Sequence, residues 1–211
     1  MATAGRPRAF DTERALDAAV EVFWRHGFEG ASLAGLATAM GINKPSIYAA
    51  FGDKAQLFQA ALRRYVERNM GYVVDALARP TARECAEAFL VGNAHAVTMP
   101  DRPHGCLSVQ AAVIPGGSEE FAVLAENRAD IQDRFTQRFR RAVAEGDLPA
   151  EADPAELAGF LITIASGFAI RAADGTPRES LVAVARRAIA AFPTAAAVDS
   201  RSVTSKTSTH R

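Results

Sequence analysis

Two cysteines in 211 residues, Cys85 and Cys106, are too few for a disulfide framework, so a reducing compartment, the cytoplasm, is the expected location. Net charge is absent as well: 24 Lys and Arg cancel 24 Asp and Glu. That excludes a histone-like wrapper held to nucleic acid by bulk charge, but not a small, locally basic contact surface. The longest uncharged apolar run, Leu157 to Ile170, stops at 14 residues between Glu156 and Arg171. A membrane-spanning helix needs about 20, so no membrane partner is expected. No apolar stretch follows Arg6-Pro7-Arg8, so no secretory signal is expected either. Sustained period-two alternation of β-branched residues is missing, which argues against strands. Catalytic signatures are missing too: no glycine-rich nucleotide loop, no supported Ser/His/Asp or Cys/His arrangement, no carboxylate–histidine metal run. Neither an enzyme nor a cofactor is expected.

What the chain does contain is helix after helix, with 49% apolar residues to build a core. Leu16, Ala19, Val20 and Phe23 follow the i, i+3, i+4, i+7 rule, with Asp11 as candidate cap and Gly27 as stop. Short helices follow Ser32 and Asn43. A long fourth one is expected from Asp53 towards Arg79-Pro80, carrying Leu57, Phe58, Ala61, Leu62 and Tyr65. Further helices fit Ala82 to Thr98, Gly105 to Ile114, and Ser118 to about Glu145. Asp153-Pro154 opens another with a cap and a first-turn proline. Gly175-Thr176-Pro177 precedes a last one with Leu181, Val184, Ala185, Ala188 and Phe192. The expected fold class is all-α, in four parts: a basic arm over 1–9, a three-helix head over 10–54, a helical domain over 55–193 and a disordered polar tail over 194–211.

The informative segment is Ser32 to Lys54. Gly41 takes positive φ without a Cβ penalty, and the few residues around it join two short helices as a helix-turn-helix over 32–51. Leu33, Leu36, Ala37, Ile42, Ile47 and Phe51 can face inward, which leaves Lys44, Pro45, Ser46, Tyr48, Ala49 and Ala50 facing out. Between Gly30 and Gly52 no acidic residue occurs, as suits a surface that approaches phosphates. Each outward residue has a task. Asn43 caps a helix whose N-terminal N–H groups attract anions. Lys44 reaches a base edge or a phosphate, Pro45 can pack on a thymine methyl, and short Ser46 lets the helix sit deep in a groove. Ser32, Tyr48 and Lys54 can bond backbone phosphates, and Arg6 and Arg8 form an arm of the kind that enters a neighbouring minor groove.

The run from Gly27 to Phe58 closely resembles the DNA-binding module of the tetracycline-repressor (TetR) family of bacterial regulators. The landmarks are Gly27-Phe28 ahead of Ser32, Ala37, Gly41-Ile42, Tyr48 with Phe51, Lys54 and Leu57. Pro45 departs from the smaller residue more usual there, and bears on base preference rather than docking. The resemblance implies double-stranded operator DNA as partner and an all-helical C-terminal domain that dimerises through its last two helices around a small-molecule pocket. The function it implies is a homodimeric repressor released by a ligand.

Residue patterns agree. Leu157, Phe160, Leu161, Ile164 and Phe168, with Leu181, Ala185, Ala188 and Phe192, make two apolar helices rich in small residues, as a four-helix dimer interface requires. Phe89, His95, Met99, Cys106, Phe121 and Phe135 are the candidate pocket lining, although aromatic and Met residues at helical spacing also build plain core. His95, His104 and Cys106 lack a fourth ligand and tight spacing, so no metal site is expected. The segment His104-Gly105-Cys106-Leu107 resembles one found in family members that sense electrophiles through a thiol, which leaves a thiol-sensing repressor as the alternative. A helical protein-interaction module or an enzyme of helical fold is the remaining, less favoured rival.

Overall fold

The computed structural model describes residues 10–110 and 119–195, with side chains given except at 110 and 119–125. Arg6 and Arg8 of the expected arm, and residues 196–211 of the expected tail, lie outside the described residues. Among the described residues every regular element is a helix. In chain order they are α1 (Thr12–Gly30), α2 (Leu33–Met40), α3 (Lys44–Phe51), α4 (Lys54–Asn69), α5 (Gly71–Leu77), α6 (Ala82–Ala96), α7 (Leu107–Gln110), α8 (Glu119–Ala144), α9 (Pro154–Ala173) and α10 (Arg178–Ala190). Contacts divide the chain into two compact units, Met1–Asn69 with Cys106–Leu124, and Met70–Gly105 with Ala125–Arg211.

The first unit is built on α1, α2, α3, α4 and α7. Asp11 caps α1 by accepting from the N–H groups of Glu13 and Arg14, and Ala15, Ala19, Val20, Phe23 and Trp24 form its buried face. The stop expected at Gly27 is a kink: its φ of 67° and ψ of 177° interrupt the helical path inside α1. Downstream of the kink, Phe28 turns back to meet Phe58 at 5.2 Å and Phe23 at 6.4 Å between ring centroids. Phe23 and Phe58 themselves meet edge-on at 5.0 Å. On the outside, Arg64 of α4 donates to Asp17 at 2.9 Å and to Glu13 at 3.1 Å, and Arg68 also bonds Asp17. The Arg64 hydrogen bond, reinforced by Arg68, holds the Asp17 carboxyl below its ordinary range against the opposing effect of partial burial.

One expectation fails here. Instead of continuing to Arg79-Pro80, the fourth helix ends at Asn69, and a separate helix begins at Gly71. The Asn69 side chain donates to the Tyr65 carbonyl at 2.8 Å, and Met70 leaves the helical region at φ −101°, ψ 15°. Gly71, a poor helix former, follows. Apolar periodicity continues across this point, so it did not reveal the break.

The second unit packs α5, α9 and α10 on α6. Thr81 and Glu84 form a capping box at the start of α6, and Asp147 accepts from the Ala82 N–H. Arg138, buried in α8, donates to the carbonyls of Arg79 and Pro80. Arg178 fastens the start of α10 to Thr98 through two hydrogen bonds of 2.9 Å. A series of ring contacts runs through the core from Tyr72 to Phe89, Phe135, Phe139 and Phe192. Helix α9 opens as expected, with Asp153 as cap and Pro154 in the first turn. By length and composition alone it is apolar enough to cross a membrane, which the 14-residue uncharged run did not anticipate because that count stopped at Glu156 and Arg171. In the fold it is a core helix, with Ala158, Leu161, Ala165, Phe168, Ala169 and Ala172 buried.

Candidate nucleic-acid interface

Helices α2 and α3 are held by side chains at both ends. Ser32 accepts from the Gly35 N–H at 3.0 Å and starts α2. Its end is a Schellman turn: Gly41 sits at φ 68°, ψ 25°, and the N–H groups of Gly41 and Ile42 reach back to Thr38 and Ala37. Asn43 then caps α3, its Oδ1 accepting from the Ser46 N–H at 2.9 Å. Pro45 occupies the first turn, where no N–H is needed. Only Ile47 of α3 is fully buried, together with Leu36 and Met40 of α2.

The outward face of α3 is therefore fixed by one anchoring residue. Lys44, Pro45, Ala49 and Ala50 are exposed, Tyr48 is 51% exposed, and Ser46 is half-buried beside its cap. Ser32 and Asn43 are exposed as well. Lys54, the first residue of α4, is half-buried, with its Nζ 4.6 Å from the centre of the Phe28 ring. Asp53 and Gln56 hold the start of α4 with a reciprocal pair of bonds, Gln56 N–H to Asp53 Oδ1 at 2.8 Å and Asp53 N–H to Gln56 Oε1 at 3.0 Å. The Asp-x-x-Gln spacing signalled that box in the sequence. The clamp of Arg64 on Asp17 and Glu13 carried no such local signal, because its partners are 47 and 51 residues apart.

The candidate pocket residues are divided between the two units. Phe89 and Phe135 are buried ring on ring, 4.5 Å between centroids, and so fill core space rather than line a cavity. His95 and Met99 are at the surface of the second unit. Cys106 is buried in the first unit, where Tyr65 Oη donates to its Sγ at 3.3 Å and Ser108 Oγ lies at 3.2 Å. Phe121 lies outside the described side chains. No local signal pointed to Asn93, buried in α6 with its Nδ2 donating to Tyr72 Oη at 3.0 Å and its Oδ1 without a partner among the described residues. Among the described residues no group of three or more His, Cys, Asp or Glu side chains is placed to hold a metal ion.

Of the nine candidate interface residues, Leu161, Phe168, Leu181, Ala185, Ala188 and Phe192 are buried inside the protomer's own second unit. They are corrected from interface to core: α9 is apolar on more than one side, and periodicity does not say which side its own chain covers. Phe160 is exposed and Leu157 and Ile164 half-buried, and Ile170 and Val184 join them at the surface, 48% and 51% exposed. A cavity of about 510 Å3 opens beside Phe160 and Leu157, bounded also by Asp153, Glu156 and Phe192.

A capped, acid-free helix presented by a Gly-turn pair on a three-ring core is the reading head of a helix-turn-helix transcriptional regulator. The comparisons narrow the class. Residues 15–61 match the family model for bacterial regulatory proteins of the tetR family, and residues 86–189 match a tetracyclin repressor-like C-terminal domain. The chain is 34% identical to the HTH-type transcriptional repressor ComR of Escherichia coli, over 90% of this chain and 92% of that one. It is 32% identical to the HTH-type transcriptional repressor BdcR of the same organism, over 90% and 93%. Among solved structures, a cysteine mutant of the TetR family regulator CifR, complexed with a 26-base-pair double-strand operator DNA, superposes with a TM-score of 0.83. It is 45% identical, covering 89% of this chain and 100% of that one. The chain belongs to the TetR family of transcriptional regulators.

Proposed function

We propose that this regulator is a homodimeric repressor that lays one α3 from each protomer into successive major grooves of its operator and leaves the DNA when a small molecule binds the second unit. The outward face of α3 carries the reading: Lys44, Pro45 and Tyr48 stand exposed on a helix capped by Asn43, with no acid from Ala31 to Phe51. Lys44 and Pro45 address base edges, while Ser32, Asn43, Tyr48 and Lys54 hold backbone phosphates. Arg6 and Arg8 are the arm. The place of action is that of the chromosome, the cytoplasm.

The dimer surface runs along α9 and α10 through Leu157, Phe160, Ile164, Ile170 and Val184. A Cβ built at Gly167, on the same stripe, would meet nothing within 4 Å. Packing within the protomer thus does not demand a glycine there, whereas close approach of a second helix does. Two recognition helices set by one two-fold axis match half-sites about 34–36 Å apart. An effector that prefers another spacing lowers operator affinity by its differential binding energy, typically ~1–3 kcal/mol. In the second unit, the buried Oδ1 of Asn93, whose Nδ2 bonds Tyr72 Oη, is the polar anchor such an effector would find.

The test is fluorescence anisotropy on duplex taken from the chain's own upstream region, over a salt series. Affinity should fall steeply as salt rises. Lys44→Ala should relax base preference and cost ~1–3 kcal/mol at one position of each half-site. Tyr48→Phe should weaken all sequences alike. A flat salt response would remove the DNA reading.

A second mode of release has its own observation. Cys106 touches α4 through Tyr65, inside the unit that contains the reading head. A group attached to Sγ must displace the Tyr65 hydroxyl, and Tyr65 packs edge-on against Trp24 of α1 at 4.9 Å. Cys85 serves as control, since burial pushes its thiol up to about 11, the charges of Arg138 and Arg141 only partly opposing, and so keeps it protonated at neutral pH. N-ethylmaleimide should weaken operator binding of the wild type and of Cys85→Ser, and leave Cys106→Ser unaffected. Equal responses of all three proteins would dismiss the thiol as a switch.

A further inference from the structure

Lysine is a poor choice for the first position of a helix, because the positive end of the helix dipole opposes its charge. Lys54 occupies that position in α4, and among the described residues it takes part in no ion pair, whereas Arg25, Arg64 and Arg68 are each engaged with acids. What holds it is the Phe28 ring, whose face lies 4.6 Å from Nζ, inside the range of a cation–π contact. The ring in turn is fixed from behind. Gly27 breaks the path of α1 at φ 67°, and Phe28 then packs against Phe58 and Phe23. The Gly27-Phe28 pair, conspicuous in the sequence, thus has a role that the recognition helix itself does not explain.

We propose that Phe28 is a positioning residue for DNA binding, holding the Lys54 ammonium at the head of α4 so that one backbone phosphate meets it together with the first-turn N–H groups of that helix. This rests on the DNA-binding reading above. The box formed by Asp53 and Gln56 uses their own two N–H groups, while those of Lys54 and Ala55, like the first N–H groups of any helix, have no partner within the helix and would be the donors to an anion there. A lysine already confined over a ring loses less rotamer freedom on meeting a phosphate than one waving in water. The ring attracts the cation without neutralising it, as a carboxylate would.

The experiment uses the full chain and a duplex that the wild type selects in vitro from a random library, with affinity read across a salt series. Lys54→Met removes one phosphate contact per protomer, so the slope of log K against log salt should become shallower by about 1.8 for the dimer. Pentafluorophenylalanine at position 28 keeps the ring's shape and reverses its quadrupole. It should reproduce most of the Lys54→Met loss, roughly 5- to 30-fold for two protomers each losing one cation–π contact. Phe28→Leu should do the same, and Phe28→Leu combined with Lys54→Met should bind no worse than Lys54→Met alone. If Phe28→Leu does not fold, the fluorinated ring decides by itself. Wild-type affinity and slope with the fluorinated ring, or losses that multiply in the double variant, would overturn the proposal. An unchanged slope in Lys54→Met would overturn it while leaving the DNA reading intact. Failure of the wild type to select any duplex would remove both.

Discussion

Phe160→Glu should yield a folded monomer that no longer holds its operator. Phe160 is 39% exposed in the protomer, on the same stripe of α9 as Ile164, Gly167 and Ile170. Pairing two such stripes buries both phenyl rings, and the variant would bury two carboxylates instead. An uncompensated buried charge costs about 3–5 kcal/mol. Two of them per dimer weaken association by ~10^4 or more, since each 1.4 kcal/mol is tenfold. Sedimentation equilibrium reads the loss directly, with circular dichroism confirming that the helices persist. DNA affinity should fall with it, because a lone protomer engages one half-site. A dimer as tight as the wild type would show that the Phe160 stripe of α9 lies outside the interface.

Phe23→Ala carries the second large effect. Phe23 is fully buried, edge-on to Phe58 at 5.0 Å and stacked near Phe28 at 6.4 Å, so its ring is the centre on which the reading head is assembled. Truncating a buried Phe costs about 3–5 kcal/mol, transfer energy plus the cavity left behind. Against a typical domain stability of ~5–15 kcal/mol, that is a large share. Amide hydrogen exchange in α1 to α4 should accelerate accordingly, and operator binding should weaken because α3 packs on α4, the helix that carries Phe58. Protection within 1 kcal/mol of the wild type, about a fivefold change in exchange, would mean that the ring cluster is not the organising core.

How much was legible in advance depended on whether a signal was local. The cap residues Asp11, Ser32, Asn43 and Asp153 act on N–H groups two or three residues ahead, and all four do so in the structure. The turn at Gly41 needs only its own φ, and Gly27 likewise announced an interruption, though as a kink rather than an end. The division of α4 from α5 was hidden, because apolar spacing runs through Asn69-Met70-Gly71 while the backbone does not. For α9 the sequence supplied an apolar helix with small residues. Leu161 and Phe168 turned out to face their own chain and Phe160 the outside, a choice made by neighbours distant in sequence. The pocket candidates meet the same limit: helical spacing marks apolar positions without saying whether they surround space or fill it.

The amino-acid order alone therefore determined the class of fold, the helix-turn-helix and the acid-free face of α3, since capping, turn chemistry and charge content act within a few residues. The tertiary structure alone decided that Phe28 meets Lys54, that Tyr65 meets Cys106, that Arg64 clamps Asp17, and which side of α9 stays exposed. Those depend on which surfaces meet when helices pack, and a side chain's period along its own helix does not encode the helix it will touch.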